Sequence, residues 1–72
     1  MKKVLITGGA GYLGKHLAKA LYKVGHEAYC IDRVRANCKY YQEEIESDFR
    51  KYPESLNRAF AHKIDTVFHL AG

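Results

Sequence analysis

Seventy-two residues, 47% hydrophobic and 28% charged, make one small globular domain at most, and a chain this short buries only about 60% of the surface its unfolded form exposes. Twelve Lys and Arg against eight Asp and Glu leave a net charge of +4, which suits an anionic ligand, while no basic run interleaved with aromatics marks a nucleic-acid stripe. No segment approaches the ~20 apolar residues of a membrane span, Lys2-Lys3 is followed by no signal-peptide cleavage site, and Cys30 and Cys38 read as free thiols in a reducing, cytoplasmic compartment, Cys30 buried in a strand.

Lys3 to Thr7 is a continuous apolar run, the pattern of a strand buried on both faces of a parallel sheet. A glycine-dense stretch follows, Gly8-Gly9-Ala10-Gly11-Tyr12-Leu13-Gly14. It fits G-x-G-x-x-G, and it sits after a strand and opens a helix, the context that makes the pattern a dinucleotide-binding fingerprint. A diphosphate needs unpaired backbone N–H groups and a positive field, and a helix N-terminus offers both. On this reading Gly8 and Gly9 turn the chain off the strand. Gly11 lets the main chain approach the diphosphate, and Gly14 lets helix and strand pack closely.

Tyr12 to Val24 is the expected helix. Leu13, Leu17, Ala20, Leu21 and Val24 recur at helical spacing, with Lys15, Lys19 and Lys23 on another face. Gly25 is placed to end it in a left-handed conformation. Glu27 to Ile31 is a second strand, completing a right-handed βαβ unit. Asp32 stands at its tip, 18 residues after Gly14, near the ~20 expected for the acid that binds the adenosine ribose. The other reading of Asp32 is a turn-opening aspartate. Arg33 and Arg35 keep the cofactor choice open. An arginine here can accommodate the 2′-phosphate of NADP, whereas Asp32 repels it, and the balance favours NAD.

Residues 33 to 43 form a polar connection, with Tyr40 and Tyr41 covering its underside. Glu44-Ile45-Glu46 is a candidate third strand ending at Ser47-Asp48. Asp48-Phe49 reads either as an adenine pocket, the carboxylate accepting from the amino group and the ring covering the base, or as a turn aspartate before a core Phe. Pro53 and Glu54 suit the first turn of a helix that carries Leu56, Ala59, Phe60 and Ile64 and ends near His62-Lys63. Asp65-Thr66 leads into a fourth strand, Val67-Phe68-His69-Leu70, which stops at Ala71-Gly72. His69 reads as a packed, hydrogen-bonded neutral imidazole in preference to a catalytic base. The expected fold is α/β: a partial Rossmann, doubly wound parallel sheet of about four strands with helices, truncated after the fourth, with residues 1–72 as one dinucleotide-binding unit.

Taken together, Thr7 to Gly14, His16, Gly25-His26-Glu27, Asp32, Asp48 and Asp65 to Gly72 resemble the N-terminal part of the extended short-chain dehydrogenase/reductase family, in particular its UDP-glucose 4-epimerases and other NAD-dependent epimerases and dehydratases. The resemblance implies an isomerase of nucleotide-sugar, galactose-type metabolism that keeps NAD bound, withdraws a hydride from a sugar and returns it to the other face. It implies that Gly8, Gly11, Tyr12, Leu13 and Gly14 hold the diphosphate, Asp32 the adenosine ribose, and Asp48 with Phe49 the adenine. Leu70, Ala71 and Gly72 lie beneath the nicotinamide side. The family's catalytic Tyr-x-x-x-Lys pair is missing from the 72 residues. Tyr29 followed by Arg33 comes nearest, and Arg33 also replaces the Asn frequent after the ribose Asp. The chain is therefore expected to be inactive alone, as the front of such an enzyme. The alternatives are a stand-alone or engineered dinucleotide-binding module, or a piece completed by another chain, with self-association through the edge of strand four.

Overall fold

The computed structural model describes residues 1–48 and 50–70. Four strands, β1 (Lys3–Thr7), β2 (Glu27–Asp32), β3 (Tyr41–Glu46) and β4 (Thr66–His69), form one sheet in the order β3-β2-β1-β4, every neighbouring pair parallel. Helix α1 (Tyr12–Lys23) links β1 to β2, and α2 (Ser55–Phe60) lies between β3 and β4. Alternation along the strands splits the core in two. Val4, Ile6, Ala28, Cys30 and Tyr41 face Ala18 of α1, and Leu5, Tyr29, Ile31 and Ile45 face Ala59 of α2. Leu5, Ile6 and Ile31 are completely buried, each stabilising the fold by roughly 1.5–3 kcal/mol. The chain leaves β1 toward β2 on one side, and β4 pairs on the other. That reversal of strand order is where ligands bind in doubly wound sheets, outside the carboxyl ends of the strands.

The fold matches the expected class, and the buried side of α1 is rotated from the expected one. Gly14 and Ala18 are buried, with Leu17 and Leu21 packed beside them, an i, i+3, i+4, i+7 series. Leu13 and Val24 are 64% and 68% exposed, and Ala20 is exposed too. Small residues mark the closest approach of helix to sheet, and a search for large apolar residues passes over them. The helix ends at Lys23, with Gly25 left-handed at φ +87° as expected. The Gly25 and His26 N–H groups donate to Tyr22 and Leu21 carbonyls at 3.1 and 2.9 Å.

Parallel strands usually need a crossover of a dozen or more residues, most often a helix. Residues 33–40 join β2 to β3 with none. Glu44 supplies the order that a helix would provide. Its Oε1 accepts the Ala36 and Asn37 N–H groups at 2.6 and 3.2 Å, and its Oε2 accepts that of Cys38 at 3.0 Å. The link is less polar than expected, since Ala36 is buried and Cys38 and Tyr40 pack on the core. Strand β3 starts at Tyr41, three residues earlier than expected.

Pro53 and Glu54 lie in the turn before α2 and not in its first helical turn. The helix stops at Phe60. The His62 and Lys63 N–H groups reach back only three residues, to the Ala59 and Phe60 carbonyls, and Lys63 is left-handed at φ +60°. Ala59 is buried and Leu56 and Ile64 pack beside it, as expected, while Phe60 is 49% exposed. Among the described residues β4 is a sheet edge, with Val67 and Phe68 exposed. No helix of the described residues is long and apolar enough to cross a membrane.

Candidate functional site

The glycines of the loop between β1 and α1 are glycines for different reasons. Gly8 has φ +72°, a conformation other residues rarely adopt, and its N–H donates to the Ile31 carbonyl at 2.9 Å, tying the loop to β2. A Cβ on Gly9 would run into the Tyr41 hydroxyl and come within 2.8 Å of the Cys30 Sγ. A Cβ on Gly14 would lie 2.6 Å from Gly9 Cα and 2.7 Å from Gly9 O. Gly14 therefore allows the helix to sit on the loop itself, where helix-to-strand packing was expected. Gly11 differs from all of these. Its φ of −77° suits any residue, and a Cβ there would meet nothing within 4 Å. Neither backbone strain nor internal packing demands glycine at this position. The open space lies outside the loop, at the start of α1.

That start is bare in a second sense. No side chain caps α1, and its first turn carries no acid. The N–H groups of the opening turn lack helical acceptors, and no acid of α1 itself offsets the positive end of the helix dipole. An uncovered glycine before an uncapped helix fits an anion such as a diphosphate.

Asp32 stands beside the loop. Its Oδ2 accepts the Ala10 N–H at 2.9 Å, and its Oδ1 accepts the Arg33 N–H at 2.6 Å. A carboxylate oxygen has two lone pairs, so these bonds leave acceptor capacity toward a ligand hydroxyl. The acid thus both shapes the glycine loop and edges it. Arg33 is exposed. Asp48 follows β3 at the same end of the sheet, the Ser47 N–H donating to the Asp32 carbonyl at 2.8 Å. Its Oδ1 accepts the Arg50 N–H at 3.1 Å, and its main-chain carbonyl accepts the Lys51 and Tyr52 N–H groups. Asp48 is therefore a turn aspartate by its bonding, placed at the ligand end of the sheet. The Leu70 N–H donates to the Thr7 carbonyl at 2.9 Å, bringing the end of β4 beside the glycine loop. Tyr12 and Leu13 project from the first turn of α1, 81% and 64% exposed. Phe49, Ala71 and Gly72, expected at the adenine and nicotinamide sides, lie outside the described residues. His69 shares a hydrogen bond with the buried Thr7 hydroxyl, Nδ1 to Oγ1 2.7 Å, but its side chain is exposed where a packed one was expected.

Cys30, beneath the loop, and Cys38, on the β2–β3 link, are free thiols, and burial pushes the Cys30 thiol up to about 12, with the carboxylates of Glu44 and Asp32 adding to it. Such a thiol is protonated and unreactive at neutral pH. Burial likewise raises the Tyr41 hydroxyl. That hydroxyl lies 2.8 Å from the Gly9 carbonyl oxygen and 3.1 Å from that of Gly14. On the opposite face, hydrogen bonding to His62 at 2.8 Å holds the Glu43 carboxyl below its ordinary value, with Arg58 at 3.1 Å assisting against partial burial. Among the described residues no three His, Cys, Asp or Glu side chains gather as a metal site. A cleft of about 330 Å³ lies between α1 and the β2–β3 link, lined by Lys15, His16, Lys19, Asn37, Lys39 and Tyr40 among others. Neither the glycine loop nor Asp32 borders it. Sequence reasoning located the loop and its acid; it missed Tyr41 and Glu44, whose roles depend on residues distant or unexceptional in the sequence.

Comparison with known proteins adds to this geometry. A family model described as the NAD dependent epimerase/dehydratase family matches residues 4–72. A UDP-N-acetyl-alpha-D-glucosaminuronate decarboxylase of Bacillus cytotoxicus is 40% identical over 75 residues, covering 97% of this chain and 23% of the relative. A UDP-glucose 4-epimerase of Neisseria meningitidis serogroup B is 33% identical over 88 residues, covering 100% of this chain and 24% of the relative. Among solved structures, the Thermus thermophilus UDP-glucose 4-epimerase in complex with NAD superposes with a TM-score of 0.82 at 30% identity, over 97% of this chain and 24% of that one. The Stenotrophomonas maltophila UDP-glucose-4-epimerase, with bound NAD and formylated UDP-arabinopyranose, gives 0.81 at 28% identity, over 100% and 25%. The chain spans about a quarter of the length of these relatives.

Proposed function

The chain belongs to the NAD-dependent epimerase/dehydratase family, and from that premise we propose that it is the part of a nucleotide-sugar epimerase that grips NAD. The observation that carries this reading is Gly11: a glycine that neither backbone strain nor packing requires, open to the outside, at the mouth of a helix with no side-chain cap. The main chain of Gly8, Gly11, Tyr12, Leu13 and Gly14 holds the diphosphate. Asp32 accepts from the adenosine ribose hydroxyls from a position already fixed by the Ala10 N–H, and its charge disfavours a 2′-phosphate despite Arg33. To Asp48 with Phe49 we assign the adenine, as an addition to the turn bonds of Asp48, and to Leu70 with Ala71 and Gly72 the nicotinamide side. NAD, when bound, supplies a hydride acceptor. These residues bind and orient it, and none of them moves a proton. The sequence contains no Tyr-x-x-x-Lys pair, so the 72 residues are a binding unit that does not catalyse by itself, acting in the cytoplasm. Relatives solved with NAD support the cofactor. The nucleotide sugar belongs to a longer parent enzyme of the UDP-glucose 4-epimerase type.

A second reading is favoured by the exposed Val67 and Phe68 on the β4 edge. Such an edge pairs with another strand, so the chain self-associates or is completed by another polypeptide. Titration of the purified chain with NAD, followed by tyrosine fluorescence and competed with ADP-ribose, tests the binding role. Saturable binding displaced by ADP-ribose is expected. Absence of any saturable change at millimolar NAD would remove the proposal, and a clean monomer in size-exclusion chromatography would remove the self-association reading.

A further inference from the structure

Tyr41 lies 27 residues beyond the last fingerprint glycine, on β3, outside the sequence of the cradle. It is nevertheless buried directly beneath it. Its hydroxyl stands 2.8 Å from the carbonyl oxygen of Gly9 and 3.1 Å from that of Gly14, the first and last glycines of the G-x-G-x-x-G hexapeptide. One proton is thus shared between the two ends of the loop. The loop is also held at its rim by Asp32 through the Ala10 N–H. Gly9 is closed to any side chain because Tyr41 and Cys30 fill the space below it, and Gly14 is closed because Gly9 lies against it. The hydroxyl, the two carbonyls and the two glycines form one packed unit. A buried hydroxyl that bonds main-chain carbonyls on both sides of a turn fixes the separation of its ends, and a preorganised site avoids ordering its backbone when the ligand arrives.

We propose that Tyr41 is a positioning residue for the cofactor, whose hydroxyl sets the spacing of the anion-binding loop from below and thereby the affinity for a diphosphate. The inference rests on the binding role argued above and adds to it a residue outside the fingerprint. It makes a specific demand: Tyr41 acts on the part of the ligand the loop holds and leaves the part Asp32 holds alone.

The test is Tyr41→Phe, which keeps the ring and removes the hydroxyl, with binding of ADP-ribose and of adenosine each followed by NMR shift titration. The variant is expected to bind ADP-ribose about five- to twentyfold more weakly while adenosine affinity changes less than about twofold, since adenosine carries no diphosphate. A purely structural role would weaken both ligands in equal proportion, and that result overturns the proposal, as does unchanged ADP-ribose affinity. An unsubstituted chain that takes up neither ligand fails at the binding role itself, a distinguishable outcome that overturns both. If the variant does not fold, the hydroxyl proton of Tyr41 in the unsubstituted chain decides. Saturating NAD should slow its exchange with water at least about tenfold, because a ligand that selects the bonded loop protects the bond. Unchanged exchange overturns the proposal.

Discussion

Two single-atom additions within one hexapeptide should have opposite consequences. In Gly14→Ala the new Cβ would lie 2.6 Å from Gly9 Cα, 2.7 Å from Gly9 O and 2.8 Å from Gly9 C, all main-chain atoms. Ordinary carbon contacts are about 3.5–4.0 Å, so the loop must retreat by most of an ångström. Overpacking of this kind costs about 1–3 kcal/mol, and alanine's better helix propensity returns up to about 1 kcal/mol. The net loss is about 1–2 kcal/mol, a fall in Tm of roughly 5–15 °C for a domain this small. In Gly11→Ala the Cβ meets nothing within 4 Å, and φ is already −77°. Reduced freedom of the unfolded chain stabilises by about 0.4–1 kcal/mol, and replacing a glycine N-cap by alanine costs a similar amount. Tm should stay within roughly 4 °C of the parent. Yet the methyl group occupies the surface assigned to the diphosphate, and NAD affinity should fall at least about tenfold, or about 1.4 kcal/mol. Thermal melts by circular dichroism and NAD titration of both variants make the comparison. If Gly11→Ala loses as much stability as Gly14→Ala, or binds NAD as the parent does, the division of roles among the glycines is wrong.

Three further outcomes follow from the same geometry. Asp32→Ala should weaken NAD by about tenfold or more, the scale of a hydrogen bond to a charged group, and should gain affinity for NADP, both read by titration; unchanged binding of both cofactors would remove Asp32 from the site. Glu43 has a carboxyl pKa lowered on folding, chiefly by its hydrogen bond to His62. Its contribution is therefore present above the ordinary glutamate value near 4.5 and is lost as pH falls through the depressed folded value. Glu43→Gln should flatten the acid limb of a Tm-against-pH profile without moving the neutral plateau by more than the ~1 kcal/mol scale of such pairs. Iodoacetamide at neutral pH should modify Cys38 in the folded chain and reach Cys30 only in denaturant, since the buried thiol is pushed up to about 12; peptide mass mapping reads both.

What could be read from the sequence is what the backbone demands locally. β1, the left-handed Gly8 and Gly25, the extent of α1 and the acid at the end of β2 each leave a residue-type mark within a few positions. The buried face of α1 was legible only in part: Leu17 and Leu21 marked it, but the residues nearest the sheet are Gly14 and Ala18, which carry little hydrophobic signal, while the conspicuous Leu13 is exposed. Phe60 misled in the same way, a large apolar residue that the short α2 leaves half exposed. Glu44 and Tyr41 were hidden for another reason. A glutamate in a strand reads as solvent-facing until the three N–H groups of residues 36–38 are known to converge on it. A tyrosine below the fingerprint acts across 32 residues of sequence, a separation that no local pattern encodes.

The central claim is that the bare main chain at the mouth of α1 is an anion site edged by Asp32. Residue-resolved amide NMR of the chain during titration with NAD addresses it most directly. The account predicts saturable shifts that are largest at Gly11, Tyr12, Leu13 and Gly14, with Ala10 and Arg33 moving in step because their N–H groups bond the Asp32 carboxylate. Shifts concentrated instead on Lys15, Lys19 and Lys39 around the lateral cleft, with the glycine amides still, would contradict it.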